Sequence, residues 1–195
     1  MGIIYYLMGK SASGKDTIYS HLLERTSLRQ VVPYTTRPIR STEKEGVQYH
    51  FVTEQDYQSL KEEGKVIEDR VYQTAHGPWR YFTVNDGQIR LDTVEDYLMI
   101  GTLEAYKSLC DYFGKEHLVP LYIEVDDGIR LQRALDRERS QKIPKYEEMC
   151  RRFLADQKDF SEEHLKQCEI TKKYKNYNLE ECLKNIQDQL NGNRR

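Results

Sequence analysis

The sequence predicts an α/β fold with a mainly parallel central sheet flanked by helices. Three observations support this prediction. Short apolar and β-branched runs recur along the chain, segments with helical periodicity separate many of them, and glycines stand where helices should end. Alternation of strand and helix is typical of parallel sheets, because a parallel connection needs a crossover that a helix usually supplies.

The apolar runs predict seven strands and the periodic segments predict several helices. We expect the strands at residues 3–8, 31–35, 49–52, 66–72, 81–84, 97–100 and 118–125. The first helix is expected within 14–28, a second between a cap at Thr53 and a stop at Gly64, and a third from Thr102 to Phe113 before Gly114. From Asp127 onward the chain is expected to be mostly helical.

The 195 residues suit one domain with small inserted parts. Short strands with a single helix predict an inserted mixed α/β subdomain at 33–84. A Lys/Arg/Glu-rich stretch broken by Pro144 predicts a mobile helical lid at 137–148. The core of this single domain, 1–195, is then expected at 1–32, 85–136 and 149–195.

Charge and hydropathy exclude several classes of partner. With 30 basic and 32 acidic side chains the net charge is −2, which gives no footprint for nucleic acid or an anionic membrane. No run approaches the roughly 18 apolar residues of a membrane span. Four cysteines without a CxxC pair indicate reduced thiols. We therefore expect a soluble cytoplasmic protein, a monomer or homodimer, with neither nucleic acid nor membrane as partner.

The most informative segment is GKSASGKDT, residues 9–17, which supplies Gly-x-x-x-x-Gly-Lys between a predicted strand and a predicted helix. Its glycines let main-chain amides turn inward around phosphate oxygens, and the helix N-terminus adds positive potential. Lys15 adds a charge for the β and γ phosphates. This pattern predicts a P-loop NTPase fold, and the absence of an Asn-Lys-x-Asp motif from the sequence argues against a GTPase. The expected ATP-binding residues are Gly9, Ser11, Ala12, Ser13, Gly14, Lys15, Asp16 and Thr17.

One position departs from the usual P-loop. The Ser or Thr that normally follows the lysine and binds magnesium is Asp16 here. A carboxylate so close to phosphates would repel them unless a metal lies between, so we expect Asp16 to bind the Mg²⁺ that accompanies ATP. The alternative is that Asp16 only complements the N-terminus of its helix.

A second anion site is predicted just beyond the strand at 31–35. Arg37 and Arg40 lie three residues apart, and Tyr49 follows at the start of the next strand. Two guanidinium groups can hold a phosphate dianion while a tyrosine hydroxyl donates to a third oxygen. Taken alone, such a pair is more often ordinary surface arginine.

This stretch resembles the guanylate kinase family, whose acceptor region reads T-T-R-x-x-R-x-x-E-x-x-G-x-x-Y-x-F. The chain matches it without a gap at Thr35, Thr36, Arg37, Arg40, Glu43, Gly46, Tyr49 and Phe51. The resemblance implies a nucleoside-monophosphate kinase that transfers the γ-phosphoryl group of Mg-ATP to GMP or dGMP. It also implies that Thr36, Arg37, Arg40 and Tyr49 bind the acceptor.

Further site residues follow from the same resemblance. Glu68 stands where the family has the glutamate that reads the guanine edge, a task for which a carboxylate is suited because it accepts from adjacent N–H donors. Arg133 and Arg137 have the spacing of two lid arginines, and Arg152 matches a third; with Lys15 they would be catalytic. Asn176 matches an asparagine near the adenine of ATP.

The match fails at three places, the first being the serine before T-T-R, which Pro33-Tyr34 replaces. HGPWRYFT, residues 76–83, replaces the family's tyrosine-glycine-serine/threonine, so either Trp79 or Tyr81 is expected to supply the aromatic contact. At 97–105 the family's two aspartates are lost, with Ile100 and Thr102 nearest to their positions, and Thr102 could accept one hydrogen bond from a base. Two alternatives therefore stay open: a guanylate-kinase-like binding module without activity, and a P-loop kinase with a different acceptor.

Overall fold

The structure, a computed structural model, describes residues 1–74 and 77–192 and confirms the α/β fold with a parallel central sheet and helices. The strands are β1 (Ile4–Gly9), β2 (Arg29–Gln30), β3 (Tyr34–Thr35), β4 (His50–Phe51), β5 (Val66–Thr74), β6 (Gly77–Val84), β7 (Tyr97–Ile100), β8 (Leu118–Glu124) and β9 (Lys173–Lys175). The helices are α1 (Lys15–Arg25), α2 (Glu54–Glu62), α3 (Leu103–Phe113), α4 (Asp127–Arg139), α5 (Tyr146–Asp159), α6 (Glu162–Gln167) and α7 (Leu179–Gly192).

The central sheet has five strands in the order β2-β7-β1-β8-β9. β2 pairs with β7, and β8 with β9, in parallel. Tyr97 N donates to Ile3 O and Gly101 N to Leu7 O, so β7 also runs parallel to its neighbour. All six residues of β1 are buried, as expected for a strand covered on two faces.

The chain divides into two compact units. The first comprises Met1–Ile4, Leu28–Met99 and Glu104–Val119, and the second comprises Tyr5–Ser27, Ile100–Leu103 and Pro120–Arg195. The predicted subdomain at 33–84 falls inside the first unit and the predicted lid at 137–148 inside the second.

One predicted strand is wrong. Instead of a continuous strand over 31–35, the structure has β3 at the end of this run and β2 just before it, and the two strands belong to different sheets. Pro33 lies between them and has no amide hydrogen, so no ladder can run through it. β9 was not predicted, because three residues with lysine at each end give no periodic signal.

The first unit carries a second sheet of four strands, in the order β4-β3-β6-β5. One face of this sheet packs on α2 through a buried cluster of Tyr57, Phe82 and Val84. α2 begins with the predicted cap, where the Thr53 hydroxyl accepts from Asp56 N and the Asp56 carboxylate accepts from Thr53 N. The other face of the sheet is polar.

A β-bulge at Ile67 decides which face of this sheet Glu68 joins. Val66 pairs with Val84 and packs with the cluster under α2, but Glu68 pairs with Thr83, so Ile67 is the extra residue. Side chains alternate between faces along a strand, and without the extra residue Glu68 would point the same way as Val66. The bulge therefore turns the carboxylate onto the polar face.

None of the helices within 1–74 and 77–192 is long and apolar enough to cross a membrane.

Candidate functional site

In the second unit, the loop that joins β1 to α1 has the shape of a phosphate cradle. A Cβ on Gly9 would lie 2.7 Å from the main-chain oxygen of Ile123, and one on Gly14 would lie 2.5 Å from Asn176 Nδ2. Gly14 also has φ +84°, a left-handed conformation that favours glycine. Both glycines are therefore required by close approach or backbone conformation, and Lys15 begins α1 directly after them.

Ser13 is the buried residue at the centre of this loop. Its amide donates to Lys10 O (3.2 Å), and its carbonyl accepts from Asn176 Nδ2 (2.8 Å). Its hydroxyl is buried and has no hydrogen-bond partner among the described residues. Buried polar groups are nearly always paired, so an unpaired hydroxyl here is a donor available to a bound anion.

Asn176 connects the loop to the end of β8 by hydrogen bonds. Its amide donates to Glu124 O (3.0 Å), which holds it at the end of β8, and its side chain reaches Ser13 as described above. Arg133 NH2 donates to its carbonyl oxygen at 3.2 Å. Asn176 thus joins one predicted lid arginine to the loop.

The main chain of Ser11 forms hydrogen bonds with two residues that the sequence did not predict. Ser11 N donates to Asp156 Oδ2 (2.7 Å), and Arg130 NH1 donates to Ser11 O (2.8 Å). Arg130 is 1% exposed, pairs with Asp127 at 2.7 Å and lies over the ring of Phe153. The Asp127-x-x-Arg130 spacing at the start of α4 was the available signal, since residues three apart on a helix are neighbours.

Lys15 lies in a strongly charged environment. Burial lowers the pKa of Lys15, an effect that Asp16 and Asp156 oppose and that Arg137 and Arg130 reinforce. The charge of Arg137 is therefore felt at Lys15, as the predicted lid role requires.

The third predicted lid arginine, Arg152, is engaged elsewhere. Its Nε donates to Glu148 one turn away on α5 (2.8 Å), on an exposed face of that helix. Hydrogen bonds from Arg151, which has the larger effect, and from Arg152 lower the pKa of Glu148 to about 2. Arg133 and Arg137 are thus brought to the loop, and Arg152 is held by its own helix.

In the first unit, the polar face of the four-stranded sheet collects most of the predicted acceptor residues. Glu68, Arg70 and Tyr72 alternate along β5 and pair across with Thr83, Tyr81 and Trp79 of β6. Tyr49 contacts the Tyr81 ring edge-on, with the ring centroids 5.6 Å apart.

Arg37 is 3% exposed and lies at one end of this face. Its NH1 and NH2 each donate to Glu43 at 2.8 Å, and its guanidinium lies 5.3 Å from the ring centroid of Tyr49. Hydrogen bonds to Glu43 raise the pKa of Arg37 most, burial opposes this effect, and Tyr81 reinforces it. The Arg37 Nε is buried without a partner among the described residues.

The other predicted acceptor residues differ in their surroundings. Arg40 is exposed, and its amide donates to Glu43 Oε2 (2.9 Å). The Thr36 hydroxyl accepts from Arg80 N (3.0 Å), so it holds β6 in place. Thr102 belongs to the second unit, where its carbonyl accepts from the Tyr6 hydroxyl (3.1 Å).

Glu68 lies toward the other end of the polar face. Its side chain is 3% exposed, accepts from the Thr83 hydroxyl (2.7 Å) and pairs with Arg70 Nε (3.0 Å). It is therefore not the exposed strand residue that its position alone would favour. Thr83 was missed, although Tyr81-Phe82-Thr83 keeps the spacing of the family's tyrosine-glycine-threonine. By that spacing Tyr81, which adjoins Arg37, is the better of the two aromatic candidates; His76 lies outside the described residues.

Comparison with known proteins finds similarity to guanylate kinases over part of the chain. The guanylate kinase family model matches residues 2–77. The guanylate kinase of Chelativorans sp. (strain BNC1) is 37% identical over 83 residues, which cover 40% of this chain and 38% of that protein. The guanylate kinase of Mesorhizobium japonicum is 41% identical over 68 residues, or 34% of this chain and 31% of that protein. The matched stretches thus span less than half of either relative.

The fold likeness extends further than the sequence match. The crystal structure of guanylate kinase from Anaplasma phagocytophilum superposes with a TM-score of 0.65 and 23% identity, covering 98% of this chain and 86% of that one. At this identity the likeness establishes the fold alone. The chain is thus similar to guanylate kinases in sequence over residues 2–77, and it shares their fold over nearly its whole length.

Proposed function

We propose that the protein is an ATP-dependent nucleoside-monophosphate kinase that transfers the γ-phosphoryl group of ATP to GMP or dGMP, giving GDP or dGDP. The observation that carries the proposal is the polar face of the four-stranded sheet. Tyr81 and Thr83 are two residues apart on β6, about 7 Å along a strand, and adjoin Arg37 and Glu68 respectively. A cation for a phosphate and a carboxylate for a base edge are thus presented in one row.

The donor nucleotide would bind at the loop of residues 9–17. Its main-chain amides and the Ser13 hydroxyl would contact the phosphates, and Lys15 would neutralise charge on the β and γ groups. Arg137, at the start of the lid at 137–148, and Arg133, in the helix before it, would act on the transferring phosphate. Arg133 donates to Asn176, and Arg137 lowers the pKa of Lys15. Arg152 would have to leave Glu148 to join them.

Magnesium fits the residues present. Asp16 stands in the first turn of α1 beside Lys15, and a carboxylate oxygen is the donor that Mg²⁺ prefers, with phosphate oxygens completing its coordination. When bound, the ion would neutralise phosphate charge.

The transfer itself needs no covalent enzyme intermediate. An oxygen of the acceptor phosphate attacks the γ-phosphorus, the bond from that phosphorus to the β,γ-bridging oxygen breaks, and ADP leaves with the electron pair. The chain's task is to orient two anions and offset their repulsion. Arg37, Arg40 and Tyr49 would do this for the acceptor phosphate within the subdomain at 33–84.

Replacement of Lys15 tests the assignment. We expect Lys15→Met to lower ADP formation with GMP by at least about 100-fold, because the negative charge that develops on the phosphates is no longer offset by the Lys15 ammonium. Coupled-enzyme turnover and thermal unfolding should be measured together, with the exposed Lys184→Met on α7 as the matched control. Turnover near that of the unmodified protein in Lys15→Met would reject the proposal.

A non-catalytic binding module is the second candidate, and one observation favours it: Ile100 and Thr102 stand where the family has acids. A screen of GMP, dGMP, AMP, CMP, UMP and dTMP as acceptors with Mg-ATP separates the candidates. Turnover with GMP supports the kinase, turnover with another acceptor supports a kinase of different specificity, and nucleotide binding without turnover supports the module. A cytoplasmic location is proposed on the four free cysteines.

A further inference from the structure

The acceptor positions of Glu68 are largely taken within the protein. Its Oε1 accepts from the Thr83 hydroxyl (2.7 Å) and from Arg70 NH2 (3.3 Å), and its Oε2 accepts from Arg70 Nε (3.0 Å). An ionised carboxylate offers about four lone-pair sites. At least three are in use among the described residues, so at most about one is left for a ligand.

Arg70 is a built part of this face. It lies two residues from Glu68 on β5, so the two side chains share a face, and it pairs across the sheet with Tyr81. Its side chain is 12% exposed and that of Glu68 is 3% exposed. A buried carboxylate needs a charge partner, and Arg70 supplies it at two points.

We infer, on the basis of the proposed function, that Arg70 is a specificity-determining residue that makes Glu68 read a single N–H of the base. Guanine presents two neighbouring donors, N1–H and the 2-amino group, beside the O6 acceptor. One open site on Glu68 takes N1–H, and the adjoining guanidinium donates to O6. The pair is therefore complementary to the O=C–N–H edge that all 6-oxopurines share, and it ignores the 2-amino group.

This arrangement defines the substrate class. Hypoxanthine nucleotides present the same O6 and N1–H as guanine nucleotides, so IMP should bind nearly as well as GMP. Adenine presents an amino donor and a ring-nitrogen acceptor in the reverse order, which sets donor against Arg70 and acceptor against Glu68. Rejection of adenine follows, because mismatched buried polar groups are left unpaired.

Calorimetric binding of GMP, IMP and AMP to the full chain without ATP tests the inference. In the unmodified protein we expect GMP and IMP to bind within about threefold of each other and AMP at least about 30-fold more weakly. Arg70→Lys keeps the charge but makes one contact in place of two, so a second acceptor site opens. The preference for GMP over IMP should then rise to about tenfold, as one added hydrogen bond to a charged group predicts.

The matched control is Arg90→Lys, an exposed arginine of the same unit, which should leave the GMP-to-IMP ratio unchanged. A preference for GMP over IMP of tenfold or more in the unmodified protein would overturn the inference, and so would an unchanged ratio in Arg70→Lys. Those outcomes leave the proposed function intact. Failure of the unmodified protein to bind any of the three nucleotides would instead remove the proposed function and this inference together.

Discussion

The contact between Arg37 and Glu43 has consequences for stability at the scale of single residues. Both side chains are largely buried, and two N–H···O bonds of 2.8 Å join them. We expect Glu43→Gln to lower the free energy of unfolding at neutral pH by about 3 kcal/mol, because a buried guanidinium loses its countercharge. Urea denaturation measures this loss, and the exposed Glu63→Gln, which pairs with Lys65, should cost less than about 0.5 kcal/mol.

The same pair predicts a pH dependence. Hydrogen bonds from Arg37 hold the pKa of Glu43 below its ordinary value. A depressed carboxyl pKa contributes stability above the unfolded value of about 4.3, and this is lost as the pH falls through the folded value. The difference between the unmodified protein and Glu43→Gln should therefore shrink in acid. A stability difference between the two proteins that keeps its neutral-pH value below about pH 4 would contradict this expectation.

Residues of the candidate site differ in how far the sequence could predict them. Gly14 and Lys15 were assigned to the candidate site by their short fixed spacing, whereas Arg37 and Glu68 were assigned by the resemblance to guanylate kinases. Arg130 and Asp156 were not predicted, because they meet Ser11 across more than a hundred residues and a contact of that separation leaves no local pattern.

At the scale of elements, the bulge at Ile67 gives a second test. We expect deletion of Ile67 to lower the free energy of unfolding by about 2–3 kcal/mol, because either Glu68 or Val66 must then change face and Val66 loses its packing under α2. Ile67→Val, which keeps the residue count, should cost at most about 1 kcal/mol. Equal losses in urea denaturation would show that the bulge does not determine the face.

Elements were predictable where one local rule dominates. β7 was predicted at its observed bounds, and α2 begins and ends at its predicted cap and glycine. The prediction failed where a longer-range effect decides. Pro33 lies between β2 and β3, which belong to different sheets, and β9 pairs with the edge that β8 offers it.

At the scale of the whole molecule, the two proposed anion sites, one in each unit, should respond separately to their ligands. We expect hydrogen exchange to slow at residues 9–17 when Mg-ATP binds, and on β3, β5 and β6 when GMP binds, because bound ligands suppress local opening. Lys15→Met is the control, since it should weaken the first response and leave the second. Protection of 9–17 by GMP alone would contradict the separate assignment.

The grip on Ser11 has a consequence for protein engineering. Both main-chain polar groups of Ser11 are held by side chains from α4 and α5, so the nine-residue motif does not carry its own scaffold. A graft of residues 9–17 into a foreign strand-loop-helix would lack these two supports. The transplant should acquire anion affinity only when counterparts of Arg130 and Asp156 travel with it.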